Sequence, residues 1–382
     1  MEALVSALSS LAIGFSNISL PGTLMLLIGC ILLYLAIAKK IEPILLIPIG
    51  FGIILGNLPM AGLSAHDEGG IINILYKFGI LTELFPSLLF IGLGAMIDFG
   101  PMLANPTVLI FGAAGQFGIF LTLLLALWAG FSRQEAVSVA IIGACDGPTA
   151  IYVTSKFARE LLPAVSIAAY SYMCLVPIIQ PPIMRALTTK KERATLMPTA
   201  EKKVSREVKI IFPVVTGILT ILIAPMGAPL MGMLMLGNFM RESGVIKGLV
   251  EVSQETLTSI VTLFLGLTIG ASMLGGNFLR WQTILVFVLG LVAISLDTVT
   301  GILVGKLMYI ITGGKINPLL GAAGTSAFPM SARVVQREGQ KANPRSFLLF
   351  HAVGANTGGQ IGSVMAAAVI LAGMAGMGII PT

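Results

Sequence analysis

Charge is what this 382-residue sequence has least of. Asp, Glu, Lys and Arg make up 10% of it, where a soluble domain carries roughly 25%. With 56% hydrophobic residues and a mean hydropathy of +0.97, too little polar surface is left to cover a water-facing globule. Histidine is scarce, His66 and His351 being the whole supply, which excludes an imidazole cluster for a transition metal. The three cysteines, Cys30, Cys145 and Cys174, show no paired spacing, so neither a disulfide framework nor a metal knuckle is implied. No nucleophile elbow, phosphate-binding loop or dinucleotide fingerprint occurs. Met1–Leu20 has no basic stretch ahead of its apolar residues and reads as an interfacial helix, not a cleaved signal.

What the chain does have is long apolar runs. Gly22–Ala38, Val108–Trp128 and Thr283–Ile311 are matched to a hydrocarbon core that takes about 20 apolar residues to cross. Its 44 glycines and 20 prolines fit a membrane bundle, where small residues let helices approach and breaks are tolerated against protein. The net charge of +6 sits in short loops and sets topology; it does not form a nucleic-acid stripe.

Three short blocks recur in the same order. Leu55-Gly56-Asn57 returns as Leu236-Gly237-Asn238, offset 181; Leu89–Leu93 as Leu263–Leu267, offset 174; Gly143-Ala144 as Gly321-Ala322, offset 178. A basic segment holding Arg185, Lys190, Lys191, Arg193, Lys202, Lys203, Arg206 and Lys209 lies between the halves, and positive-inside places it in the cytoplasm. With the polar stretch around Asp146 as a re-entrant hairpin, the first half crosses five times, and an odd number forces the second half to run upside down. Arg133, Arg159 and Arg280 run against this threading. The expected fold is an all-α polytopic membrane protein of two inverted repeats, each of about five transmembrane helices with one re-entrant or broken helix. Its expected divisions are an interfacial segment (1–20), a first membrane repeat (21–188), a cytoplasmic linker (189–206) and a second membrane repeat (207–382).

The polar chemistry concentrates at two glycine-broken segments. In Gly143-Ala144-Cys145-Asp146-Gly147-Pro148-Thr149, Gly147 and Pro148 stop a regular helix. Asp146 sits at the break, where an ionised carboxylate at membrane depth needs a partner or a cation. Asn317-Pro318 to Ala327-Phe328-Pro329 offers Asn317, Thr325 and Ser326 beside glycine-freed carbonyls. A third polar run, Gly354–Gln360 with Asn356, lies in the last apolar stretch. One carboxylate among neutral oxygens suits a small hard cation. Asp98, at a helix end, and Asp297, mid-span, read equally as second ion ligands, proton relays or packed structural groups.

At these residues the chain resembles the membrane-embedded β subunit of biotin-dependent, sodium-translocating decarboxylases. The resemblance is carried by Gly143–Tyr152 with Asp146, by Asn317, Gly321, Ser326 and Arg333 at spacings of four, nine and sixteen, by Tyr172, and by Asn356. It implies an enzyme subunit that decarboxylates carboxybiotin, consumes a proton and exports Na+. By that resemblance Asp146, Asn317, Ser326, Asn356 and Gly321 hold Na+, Tyr172 and Ser326 deliver the proton, and Arg333 holds the carboxybiotin carboxylate. It also implies partners: a carboxyltransferase α subunit, a biotin carrier domain that bears the biotin, and a small membrane-anchoring γ/δ subunit. The expected setting is a homo-oligomer within a larger complex in the bacterial inner membrane. The basic stretch Arg333–Arg345 is a further expected dock for an anionic partner domain. A rival reading, a Na+-coupled secondary transporter of an organic anion with no chemical step, fits the inverted repeat and broken helices equally well.

Overall fold

The computed structural model describes residues 14, 16–40, 42–198 and 204–379, and among them every regular element is helical. Most of the expected interfacial segment 1–20 (residues 1–13 and 15) and part of the expected linker, including Lys202 and Lys203, lie outside the described residues. The first half runs α1 (Leu20–Ala38), α2 (Pro43–Asn57), α3 (Ile71–Leu75), α4 (Leu84–Met96), α5 (Gly100–Ala104), α6 (Leu109–Ala114), α7 (Phe117–Trp128), α8 (Arg133–Ala140), α9 (Gly147–Phe157) and α10 (Leu162–Leu187). The second runs α11 (Lys190–Arg193), α12 (Arg206–Ile223), α13 (Ala228–Ser243), α14 (Lys247–Glu251), α15 (Thr258–Ser272), α16 (Gly275–Phe278), α17 (Trp281–Ile311), α18 (Met330–Ala342) and α19 (Leu349–Gly376).

Local sequence sets where these helices begin. The Ser19 hydroxyl accepts from the Gly22 amide ahead of Pro21 in the first turn of α1, and Ser132 with Glu135 forms a reciprocal capping box on α8; both satisfy amides that a helix start leaves bare. Six helical stretches are long and apolar enough to cross a membrane: Leu20–Ala38, Pro106–Trp128, Arg159–Leu187, Lys247–Ser272, Trp281–Ile311 and Leu349–Gly376. A seventh is counted if Ile71–Ile80 and Leu84–Met96, bent by 61°, form one broken span. This is fewer than the ten or so crossings expected from the sequence. The shortfall has a physical source in broken or polar-ended pieces: α2 is 15 residues long, and α12 opens with Arg206, Glu207 and Lys209.

The chain forms two compact units, each drawing on both halves. One holds residues 14–85 and 259–284, the other 86–258 and 285–379. In the first, Asn57 at the end of α2 donates to the Met273 carbonyl (2.7 Å) and accepts from the Gly275 amide (3.1 Å), just past α15. In the second, Asn238 in α13 donates to the Ile97 carbonyl (2.9 Å) and to Gly94 (3.4 Å), at the end of α4. Asn57 and Asn238 are the equivalent positions of the recurring Leu-Gly-Asn block, and in each unit the asparagine clamps a helix of the other half. A π-helical turn also appears at comparable places, Tyr76–Ile80 and Val252–Leu257.

Candidate functional site

Both glycine-broken segments fall in the second unit. The first is two half-helices meeting at Asp146. α8 tightens into a 3₁₀ turn over Ile141–Ala144, Cys145 takes a left-handed conformation at φ 54°, Asp146 is extended, and Gly147-Pro148 starts α9. Proline at the first turn of α9 costs no hydrogen bond. Position 147 has to be glycine for a packing reason: a Cβ there would lie 2.2 Å from the Tyr170 ring. The second segment is a 3₁₀ turn, Pro318–Gly324, followed by extended Thr325 and then α18 from Met330.

The segments meet through backbone, the Ser326 amide donating to the Ala144 carbonyl at 3.2 Å. Around this junction the Asp146 carboxylate is almost fully buried. Its Oδ2 accepts from Thr149 Oγ1 (2.5 Å), Gln360 Nε2 (2.8 Å) and Ser363 Oγ (3.2 Å). Such donors stabilise an ionised carboxylate where water is excluded. α19 therefore supplies two of the three side chains on Asp146. Ser326 Oγ donates to the Gly359 carbonyl (2.8 Å), next to Gln360. Asn356, one turn earlier, donates to the Thr325 carbonyl (2.6 Å) and Ser331 Oγ (3.0 Å). Asn356 Oδ1 and Thr325 Oγ1, both buried, have no hydrogen-bond partner among the described residues. Leaving such oxygens bare is costly unless a ligand takes them up.

Two glutamines the sequence reading passed over buttress the second turn. Gln116 Nε2 is shared among the carbonyls of Gly112, Gly324 and Gly359 (3.2, 3.3 and 3.3 Å), and Gln180 Nε2 reaches the Ala322 carbonyl at 2.9 Å. The Oε1 atoms of both are buried and without a partner among the described residues.

The structure thus brings Asp146, Ser326 and Asn356 to one junction, while the other expected residues stand elsewhere. Asn317 caps the far end of the 3₁₀ turn. Its Oδ1 accepts from Leu319, and its Nδ2 donates to the carbonyls of Arg193 and Thr195 at 2.9 Å each, so its side chain is engaged with the basic linker. Gly321 allows close approach: a Cβ there would meet the Gly301 carbonyl of α17 at 1.8 Å. Tyr172 donates its hydroxyl to the Phe287 carbonyl, and it is Tyr170 whose ring faces the Asp146 break. Arg333 is exposed on α18, as are Arg337 on the same helix and Arg345 just beyond it, and Arg333 has no ion pair among the described residues. Not all of the expected basic dock is free. Arg185 (2.7 Å) and Lys341 (2.8 Å) pair with the buried Glu338. Burial alone would raise the Glu338 carboxyl, but the hydrogen bonds from Arg185 and Lys341 outweigh it and hold it below the ordinary glutamate range.

Asp98 resolves to an ion pair at helix ends. It accepts from the Gly100 amide (2.8 Å), with Lys209 at 3.2 Å and Arg241 at 3.6 Å. Partial burial pushes its carboxyl up, and the Gly100 amide, Arg241 and Lys209 together bring it below the usual carboxylate value. Among the described residues no cluster of three His, Cys, Asp or Glu side chains is grouped to hold a metal. The junction presents one carboxylate among neutral oxygens, an oxygen-only donor set of the kind hard cations take.

The sequence model of the family described as "Na+-transporting oxaloacetate decarboxylase beta subunit" matches residues 22–374. The methylmalonyl-CoA decarboxylase subunit beta of Propionigenium modestum is 48% identical, the match covering 94% of this chain and 96% of that protein. The glutaconyl-CoA decarboxylase subunit beta of Acidaminococcus fermentans is also 48% identical, covering 98% of this chain and all of that one (100%). An oxaloacetate decarboxylase beta chain of Salmonella typhi is 44% identical over 97% of this chain and 99% of its own length.

Proposed function

Because the chain belongs to the β-subunit family of Na+-transporting decarboxylases, we propose that it decarboxylates carboxybiotin and uses the free energy released to export Na+. The observation that carries this reading is the junction itself. The Ser326 amide bonds to the Ala144 carbonyl beside a buried carboxylate with three side-chain donors, and unpartnered buried oxygens stand next to it. Broken segments of this kind expose backbone and side-chain oxygens at membrane depth, where they replace a cation's hydration shell.

In this mechanism Na+ is the transported substrate and enters from the cytoplasmic side. Asp146 is its charged ligand, and Asn356, Thr325 and Ser326 supply neutral oxygens. Ligation by Asn317 requires its side chain to leave the linker carbonyls it now serves. Arg333, an exposed guanidinium on α18, receives the carboxylate of carboxybiotin presented by a partner carrier domain, since a guanidinium binds a carboxylate bidentately. Loss of CO2 from the carboxylated ureido nitrogen leaves an electron pair there that takes up one proton. Tyr172 and Ser326 are the candidate proton donors. Moving one charge against 100 mV costs about 2.3 kcal/mol, within reach of an exergonic decarboxylation. The β subunit works with a carboxyltransferase, a biotin carrier and a small membrane-anchoring subunit in a bacterial inner membrane. We also read its halves as an inverted repeat, a reading supported by the reciprocal Asn57 and Asn238 clamps.

The test is to supply carboxybiotin to vesicles holding the complete complex and follow CO2 release and Na+ accumulation together. Release of CO2 that depends on Na+ and drives its accumulation is the expected result. Na+ movement with an organic anion and no CO2 would replace this reading with a secondary transporter.

A further inference from the structure

The turn that carries Asp146 has a second carboxylate against its other end. Asp297, in the middle of α17, is 0% exposed; no side chain donates to either of its oxygens among the described residues, and the one donor that faces it is the Gly118 backbone amide. No cation forms a salt bridge with it there either. What it touches is backbone. A Cβ at Gly118, at the start of α7, would fall 2.0 Å from Asp297 Oδ1, and one at Gly143, in the 3₁₀ turn before Asp146, 3.4 Å from Oδ2. The Thr122 hydroxyl, one turn along α7 from Gly118, is likewise buried with no partner among the described residues.

An ionised carboxylate with one backbone donor and no counter-ion is costly at membrane depth, and intramembrane carboxylates mark ion or proton pathways. The Gly118 backbone is pressed against Oδ1 and the Gly143 backbone lies in ordinary contact with Oδ2. We propose that Asp297 is a second cation-loading site, taking one small monovalent cation stripped of water, either a proton or a dehydrated Na+. The titratable group within reach of it is Cys145, on the same turn as Gly143 and next to Asp146 in the chain. Because Asp297 packs on the turn whose Ala144 carbonyl receives the Ser326 amide, loading it is set to influence that junction. This coupling rests on the reading of Asp146 as the Na+ ligand; the existence of the site at Asp297 does not.

The experiment uses the purified complete complex with wild-type chain, Asp297→Asn and Asp146→Asn. Radioactive Na+ bound per chain and the infrared carboxyl band are measured for each. If the cation is Na+, Asp297→Asn binds one Na+ fewer while Asp146→Asn retains the ion at Asp297. If it is a proton, Asp297→Asn loses a protonated-carboxyl band that survives in Asp146→Asn, with bound Na+ unchanged. Unchanged bound Na+ together with an unchanged carboxyl band in Asp297→Asn overturns the proposal. Should Asp297→Asn not assemble, Gly118→Ala keeps the carboxyl but sets a methyl on Oδ1. The same band or ion should then shift or disappear, and an unaltered signal again overturns the site. Full Na+ binding by Asp146→Asn would refute the Asp146 assignment alone, leaving the Asp297 result to stand by itself.

Discussion

Replacing Gly324 by alanine tests how tightly the second broken segment is built into the site. A Cβ at this position would lie 1.9 Å from the Phe111 carbonyl oxygen and 2.5 Å from its carbon. Both are backbone atoms, so no side-chain rotation relieves the clash, and the turn must retreat about 1.5 Å to reach ordinary contact. That retreat exceeds the slack in the Gln116 bonds to the Gly324 and Gly359 carbonyls, each already 3.3 Å. Overpacking costs about 1–3 kcal/mol, and each lost bond adds roughly 0.5–1.5 kcal/mol. At least about 2 kcal/mol of this falls on the arrangement around Thr325, Ser326 and Asn356, equivalent to a roughly 30-fold rise in the Na+ concentration for half-maximal activity. The assay is the Na+ dependence of carboxybiotin decarboxylation by the complete complex, with a thermal melt alongside. Gly373→Ala on α19 is the control, because nothing lies within 4 Å of its Cβ position, and alanine in a helix is favoured over glycine by about 1 kcal/mol. An unshifted Na+ dependence and melt for Gly324→Ala would mean that this turn is not tightly built into the site.

Arg333→Gln should leave the melting temperature unchanged, since the side chain is exposed and surface changes stay within about 0.5 kcal/mol. It should raise KM for carboxybiotin about tenfold or more, with Arg333→Lys recovering only part. Glu338→Gln should destabilise by about 1 kcal/mol at neutral pH, its cationic partners being more than half exposed. The folded Glu338 carboxyl lies below its ordinary value, so the ion pair is fully present above about pH 4.3 and fades as pH falls through the folded value. The gap between wild-type and Glu338→Gln melts should accordingly close on acidification. Asp98→Asn should cost no more than about 1 kcal/mol, its side chain being 40% exposed, and leave Na+ dependence untouched.

Much of the site was legible because helix breaking is written in residue types. Gly147-Pro148 and Asn317-Pro318 announce their turns, and Asp146 stands out as a carboxylate in apolar surroundings. Ser326 and Asn356 stand out as polar residues in apolar stretches, their roles being what the resemblance implies, and both reach the junction through Gly359 and Thr325. Gln116, Gln180, Gln360 and Ser363 were missed as site residues. Each is a polar residue in a helix whose other residues pack, and nothing in its own neighbourhood says that a glycine carbonyl or a carboxylate faces it from another helix. A signal was present for two of them, since Gln360 and Ser363 are spaced to share one face of α19. Asn317 and Tyr172 show the converse. Their residue types suit a ligand or a proton donor, but tertiary contacts occupy their polar atoms in this arrangement. Hydropathy does not register where a span is split into two short helices, as at Ile71–Ile80 and Leu84–Met96, which are bent by 61°.

Whether the carboxylate at the first break holds the transported ion is decided by radioactive Na+ uptake into vesicles of the complete complex carrying Asp146→Asn. Carboxybiotin should drive Na+ into wild-type vesicles and none into the Asp146→Asn vesicles. Uptake by the variant at the wild-type rate would contradict it.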